Sequence, residues 1–373
     1  MPSINQTECS RCLLNTLDTK HINFDENGVC NYCNFYSNKI KELGSLEERQ
    51  KLLLNKISEI KKLGEGKQYD CLLGLSGGID SSYMAILAHE AGLRPLVIHL
   101  DNGWNSDTAV KNIDKICEKF NFQLYTYVID WEEFSGLQKA YLRAGVIDIE
   151  VLTDHAIYAI LNKLAHKFNI KYTLSGFNLE TEAIMPKGWT YNKRDSLNIK
   201  DIVNKFGDGI KIKTFPFVSF YKALYYYWVS KLETFEILNF VDYDKEKAKQ
   251  RLISEIGWID YGGKHYESVF TKFYQSYILP VKFGVDKRRA HLSNQICANK
   301  ITKEQANQIL LTKPFDEHLI LSDKEYILKK FNMTSTEFEK IMQEKPRNHN
   351  EFDSDQRLWN RYFKLIKLLK FGK

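Results

Sequence analysis

One stretch limits the possible folds more than any other. A short, mainly apolar run, Tyr69 to Leu75, reads as a buried strand. Ser76-Gly77-Gly78-Ile79-Asp80-Ser81-Ser82 follows it, and a helical pattern opens at 80–91. Two glycines let backbone come close to a ligand, and the start of a helix offers unpaired N–H groups and the positive end of a dipole. Ser76, Ser81 and Ser82 add hydroxyls, so the loop reads as a phosphate cradle. Asp80 would be repelled by bare phosphate, which points to a bridging Mg²⁺. The Walker pattern G-x-x-x-x-G-K-[ST] occurs nowhere in the chain. Strand patterns at 95–100, 123–129, 170–174 and 210–215 alternate with helical ones at 107–120 and 153–168. This alternation predicts an α/β fold, a parallel sheet with helices on both faces. From about residue 216 the pattern is mostly helical and rich in aromatics.

The seven cysteines fall into two groups. Cys9-x-x-Cys12 and Cys30-x-x-Cys33 are two pairs with the spacing that lets thiolates share one tetrahedral Zn²⁺. Asn27-Gly28, just before Cys30, favours a tight hairpin turn that presents the second pair. Two disulfides are the alternative, disfavoured in a reducing compartment. A closed four-cysteine site has no open position for water and is expected to be structural. Cys71, Cys117 and Cys297 stand alone in sequence; Cys71 and Cys117 read as buried, inert thiols.

The predicted organisation is a zinc module at 1–38, a helical connector at 39–67, a nucleotide-binding domain at 68–215 and a mostly helical substrate- or partner-binding region at 216–373. There is no run of 18 apolar residues. The first 30 residues carry Glu8, Asp18, Asp25 and Glu26 and no apolar core, so neither a transmembrane helix nor a secretory signal is expected, and a cytoplasmic location is. The net charge of +6 admits an anionic substrate but does not predict nucleic-acid binding. The run Arg357 to Lys373 reads as a basic amphipathic helix that packs on its own protein, with an anionic membrane surface as the other use.

The loop resembles the S-G-G-x-D-S pyrophosphate loop of the PP-loop ATP pyrophosphatases, an adenine nucleotide alpha hydrolase-like fold. That likeness implies ATP binding by Ser76, Gly77, Gly78, Asp80, Ser81 and Ser82. It also implies an adenosine contact at Asp101, which ends the second strand. Ser175-Gly176-Phe177-Asn178-Leu179-Glu180 resembles the superfamily's G-H-x-x-D segment, with Phe177 in place of His and Glu180 in place of Asp. Gly176 would then approach ATP, and Glu180 would join Asp80 on Mg²⁺.

Further motifs narrow the resemblance: Phe24 to Cys30, Asp101 to Ser106, Thr153-Asp154-His155-Ala156, Gly257-Trp258, Tyr261 to Ser268 and Lys282 to Ser293. With the cysteine pairs they make nearly the whole chain similar to the N-acetyl sugar amidotransferases, which make acetamidino sugars for lipopolysaccharide O-antigen and flagellar nonulosonic acids. The implied reaction is ATP-dependent adenylation of the acetamido oxygen of a nucleotide-activated sugar, followed by attack of ammonia, with AMP and pyrophosphate released. The resemblance also implies a glutaminase partner and a cyclase-like, ammonia-channelling subunit. No cysteine has a Gly-x-Cys-x-Gly setting and residue 2 is Pro2, so the chain is not expected to hydrolyse glutamine itself. Asp80, Lys264, His265 and Lys287 are candidate catalytic residues. Lys282, Lys287, Arg288 and Arg289 form a basic, loop-like cluster that could hold phosphates, Arg288 being the cofactor-binding candidate. Asp154 could instead cap a helix. Two competing readings are a tRNA-thiolating enzyme of the same superfamily and a non-catalytic binding subunit.

Overall fold

The computed structural model describes residues 7–263 and 266–371, with side chains of the last helix through Lys367. Its centre is a five-stranded, all-parallel sheet in the order β3-β2-β1-β4-β5. The strands are β1 (Cys71–Gly74), β2 (Pro95–Asp101), β3 (Gln123–Val128), β4 (Tyr172–Leu174) and β5 (Glu233–Phe235).

β1 is uniformly apolar because both its faces are covered. Leu72 packs with Leu96, Ile98, Ile160 and Leu164 on one side. Cys71 and Leu73 pack with Met84, Val97, Ile113 and Leu252 on the other. Strand order runs one way from β1 to β3 and the other way from β1 to β5. The carboxyl ends of β1 and β4 therefore flank the switch point, where open α/β sheets bind ligands.

Before the sheet come α1 (Asn31–Leu43) and α2 (Leu46–Gly64). The predicted connector is broken at Gly44, whose φ is 75°, and Ser45 restarts the chain with a capping box to Glu48. The crossover helices are α3 (Ile79–Glu90), α4 (Asp107–Phe120), α5 (Trp131–Ala144) and α6 (Val151–Phe168). After β4 come α7 (Leu179–Glu182), α8 (Ser196–Phe206) and α9 (Phe220–Tyr225), then β5.

The predicted strand at 210–215 does not form. The backbone N–H groups of Lys213, Thr214 and Phe215 point instead at the Glu133 carboxylate, at 2.8–3.0 Å. Burial works against that charge, yet the three donors outweigh it and hold the carboxyl below its ordinary range. The fifth strand lies further on, inside the segment read as helical.

The remaining helices are α10 (Lys245–Ile256), α11 (Val269–Phe273), α12 (Leu279–Phe283), α13 (Lys287–Cys297), α14 (Lys303–Leu310), α15 (Glu317–Phe331), α16 (Ser335–Gln343) and α17 (Gln356–Phe371). Several of them join α5 and the turn before α4 in the largest core, in which Trp104, Phe134, Tyr141, Phe273, Tyr274 and Phe331 are fully buried. Among the described residues no helix is long and apolar enough to cross a membrane.

Candidate active site

The loop after β1 is held open by its own side chains. Ser76 Oγ lies 3.0 Å from Ser81 Oγ, Gly78 N donates to Ser76 Oγ, and Ser81 Oγ donates to the Gly78 carbonyl. Gly77 has φ 80°, and a Cβ there would lie 2.5 Å from the Ala109 carbonyl oxygen of α4, so only glycine fits. Its own carbonyl accepts from Trp258 Nε1 at 3.0 Å. Gly176, after β4, packs on the start of α3; a Cβ would lie 3.3 Å from Asp80 C and Ser81 N.

These residues open onto a cleft of about 380 Å³ lined by Ser76, Gly78, Asp80, Ser81 and Gly176. Its further walls are Glu182 of α7, Lys245 and Lys249 of α10, and Asp260, Tyr261 and Glu267. Asp80 accepts from the Tyr243 hydroxyl and from Asn178 Nδ2 at 3.5 Å. Burial, with Asp80 alongside, drives the Tyr243 phenol well up, and burial with Glu267 does the same to Tyr261. Both phenols therefore stay neutral, and that of Tyr243 donates to Asp80.

A second cleft of about 310 Å³ shares Ser76, Ser81 and Glu267 with the first. Ile98, Leu100, Ile157, Ile160 and Leu161 make it mainly apolar, with Asn102, Thr153, Ser268 and Thr271 at its polar positions. His99 on its wall has Nδ1 3.2 Å from the Leu75 carbonyl and Nε2 3.1 Å from Asn105 Nδ2. Both contacts are satisfied by one neutral tautomer, and burial lowers the imidazole's pKa. A polar cleft beside a helix start, joined to an apolar one, has the form needed for a polyphosphate and a base.

Residues 257–263 and 266–268 strap this region down. Asn112 and Ile259 exchange two hydrogen bonds, Ser106 N donates to the Glu267 carbonyl, and Asn105 bridges Ser268. Lys264 and His265 lie outside the described residues.

The sequence-predicted residues divide. Ser76, Gly78, Asp80, Ser81 and Gly176 line the first cleft. Gly77 shapes the loop from behind, and Ser82 is fully buried, facing inward. Asp101 builds the turn after β2, accepting from Gly103 N at 2.8 Å, while Asn102 lines the second cleft. Glu180 turns to Lys300 at 3.1 Å, and the carboxylate facing the cleft is Glu182, two residues on. Burial raises the Glu180 carboxyl against the pull of Lys300.

The segment Lys282 to Arg289 is not a loop. Gly284 ends α12 and Asp286 caps α13, so the cations stand on helices and each has internal partners. Lys282 bonds the Ile341 and Glu344 carbonyls, Lys287 meets Glu150 at 3.2 Å, Arg288 pairs with Asp286, and Arg289 pairs with Asp18 at 2.9 Å. None of the four lines either cleft. Asp154 lies inside α6 and pairs with Lys193 rather than capping the helix. His155 is fully buried between the Lys193 carbonyl and Val218 N, with its pKa lowered by burial to about 4.

The four N-terminal cysteines converge. Gly28 has φ 72°, and Phe24 bridges Cys30 across the expected turn. The four sulfurs are buried and lie within 4.8 Å of one another, with Cys9–Cys33 at 3.9 Å and Cys12–Cys30 at 3.7 Å. A tetrahedron with metal–sulfur bonds of about 2.3 Å has edges of about 3.8 Å, so the set fits one Zn²⁺. Cys297 of α13, isolated in sequence, lies 3.5 Å from Cys33. The module docks there through Leu13, packed with Leu292, Ile296 and Ala306.

Residues 267–367 match the family described as LPS biosynthesis protein WbpG-like, C-terminal domain. A tRNA(Ile)-lysidine synthase of Chlamydia pneumoniae is 34% identical over 64 residues, which cover 17% of this chain and 20% of that protein. Among solved structures, NMN synthetase from Francisella tularensis is 16% identical over 79% of this chain and 96% of that one, with a TM-score of 0.35. The NH3-dependent NAD synthetase of Campylobacter jejuni is 16% identical over 77% and 95%, with a TM-score of 0.32. None of these structural likenesses is extensive enough to carry a function across. The segment that supplies Glu267, Ser268 and Thr271 to the clefts thus lies within the stretch that is similar to the WbpG-like C-terminal domain.

Proposed function

We propose that the chain is an ATP-dependent amidotransferase that converts an acetamido group of a nucleotide-activated sugar into an acetamidino group. One observation carries the reading: Glu267, the first residue of the lipopolysaccharide-biosynthesis segment, stands where the phosphate-loop cleft meets the apolar cleft. In this reading residues 68–215 bind the nucleotide and residues 216–373 bring the sugar to it.

The base lies against Ile98, Leu100 and Leu161. Ser76, Ser81 and the first N–H groups of α3 take the phosphates. The amide oxygen attacks the α-phosphorus, the bond to the β-phosphate oxygen breaks and pyrophosphate leaves. The amide N–H proton is lost to Glu267, giving an O-adenylyl imidate. Lys245 and Lys249 meet the charge that grows on the leaving group. Ammonia then adds to the imidate carbon, and AMP departs with the C–O bond. Asp80 and Glu182 line the same cleft and would hold a Mg²⁺ ion, which would neutralise polyphosphate charge. The four thiols fit a structural Zn²⁺. Ammonia is supplied by a separate glutaminase, with a cyclase-like subunit as its conduit.

The thiolating alternative calls for cysteines beside the ATP. Among the described residues Cys71 in β1 and Cys117 in α4 are buried and no cysteine lines either cleft, which favours the amidotransferase. The test supplies ATP, Mg²⁺, ammonium at alkaline pH and a panel of nucleotide-activated N-acetyl sugars, read by mass spectrometry. AMP, pyrophosphate and one sugar changed from acetamido oxygen to NH are expected. AMP release triggered by tRNA and by no sugar would overturn the proposal.

A further inference from the structure

We propose that α17 and the segment 220–231 together form a surface that docks on an anionic lipid bilayer. Two stretches far apart in sequence, 209–232 and 356–373, contain no Asp or Glu. The fold packs them together, with the Phe220 and Trp359 rings 4.8 Å apart and edge to face. Outward from that contact the surface is apolar: Tyr221 is 75% exposed, Tyr227 61%, Trp228 53%, Phe363 57% and Leu365 56%. Single exposed apolar residues are ordinary, but a contiguous set of large ones marks a contact surface.

Cations surround the patch. Lys222, Lys231, Arg357, Arg361, Lys364 and Lys367 are all exposed. On α17, Arg357, Arg361 and Lys364 follow i, i+4, i+7 spacing and make one stripe; Leu358, Tyr362 and Leu365 make the stripe beside it. Between the two elements lies an aromatic-walled recess of about 480 Å³, whose charged lining is Arg194, Lys231 and one carboxylate, Glu233.

This chemistry selects the occupant. Protein interfaces are depleted in lysine at their cores. Helices that lie in a membrane surface combine Lys and Arg on one face with Trp, Phe and Leu on the other. Tyr and Trp rings settle at headgroup depth, and each cation near an anionic leaflet adds attraction that salt weakens.

The test is co-sedimentation of the full chain with phosphatidylcholine vesicles, with and without phosphatidylglycerol. Binding is expected only to the anionic vesicles and should fall as salt rises. K364Q/K367Q should weaken it by about tenfold or more. W228A should weaken it while leaving the salt dependence unchanged. Unaltered circular-dichroism melting would show that both variants fold. Equal binding to neutral and anionic vesicles, or none at low salt, would overturn the proposal. So would self-association in sedimentation velocity, abolished by W228A, with no vesicle binding.

Discussion

Replacing Gly77 with alanine tests the loop directly. Its φ of 80° costs a non-glycine residue about 1–2 kcal/mol. The new Cβ would also lie 2.5 Å from the Ala109 carbonyl oxygen and 3.0 Å from its carbonyl carbon and Cα, all backbone atoms that cannot rotate away. Overpacking of that kind adds about 1–3 kcal/mol, for a total of roughly 2–5 kcal/mol. Gly66 is the control, because its φ is 73° and nothing lies within 4 Å of its Cβ position. G66A should therefore show only the conformational cost of about 1–2 kcal/mol. Urea unfolding of both variants measures the difference, and titration with ATP measures the site. G77A should be the less stable by at least about 1 kcal/mol and should bind ATP at least tenfold more weakly. If the two variants unfold alike and G77A binds ATP normally, the close seating of the loop on α4 has no role in shaping the site.

Other predictions follow from the same geometry. D80N keeps an oxygen for the Tyr243 hydroxyl, so it should fold normally while AMP release falls by about a hundredfold or more; an unchanged rate would remove Asp80 from the chemistry. Metal analysis of the purified chain should find about one zinc per chain, and C12S should lower both metal content and melting temperature; a metal-free chain of full stability would refute the zinc assignment. Burial lowers His155 to about 4 and His349 to about 3, both below the unfolded value of 6.5. Each therefore contributes stability that is present above pH 6.5 and is lost as pH falls towards its folded value. Unfolding free energy should drop by roughly 2 kcal/mol per pH unit between roughly pH 6 and 4 from these two groups, and H155N should about halve that slope in urea titrations. E133Q removes the charge that gathers the three N–H groups of residues 213–215 and should cost about 1.5–3 kcal/mol of unfolding free energy.

Local patterns on the page carried much of this architecture. β1 and β2 were legible because strands covered on both faces are continuous apolar runs. α4 was legible from its amphipathic repeat and begins and ends where predicted, at Asp107 and Phe120. The false strand at 210–215 had the right alternation but found a carboxylate, Glu133, in place of a neighbouring ladder. Glu180 was selected by its place in a motif, yet the short helix α7 turns Glu182 towards the cleft, a rotation that spacing alone does not reveal. Lys245, Lys249 and Tyr243 reach the site from elements after β5, and no local signal marks them. Trp258 and Tyr261 do carry a signal, since they belong to the Gly257-Trp258 and Tyr261 to Ser268 motifs, but nothing in those motifs specifies that one holds Gly77 and the other faces Gly78. The basic run at Lys282 to Arg289 was misread because Gly284 suggested a loop, whereas it ends one helix just before Asp286 starts another.

The strap formed by 257–263 and 266–268 bears on how the protein is made. Chains leave the ribosome amino-terminal end first, and folding units form in that order. The cysteine ligands and the strands through β4 emerge early, whereas the cover of the nucleotide cleft arrives only with Tyr261 and Glu267, and the docking face for the cysteine module only with α13. A nascent chain can thus gather its four thiols long before the cleft beside Ser76 and Ser81 is walled. Under the proposed function, the order of synthesis itself keeps an unfinished chain from spending ATP.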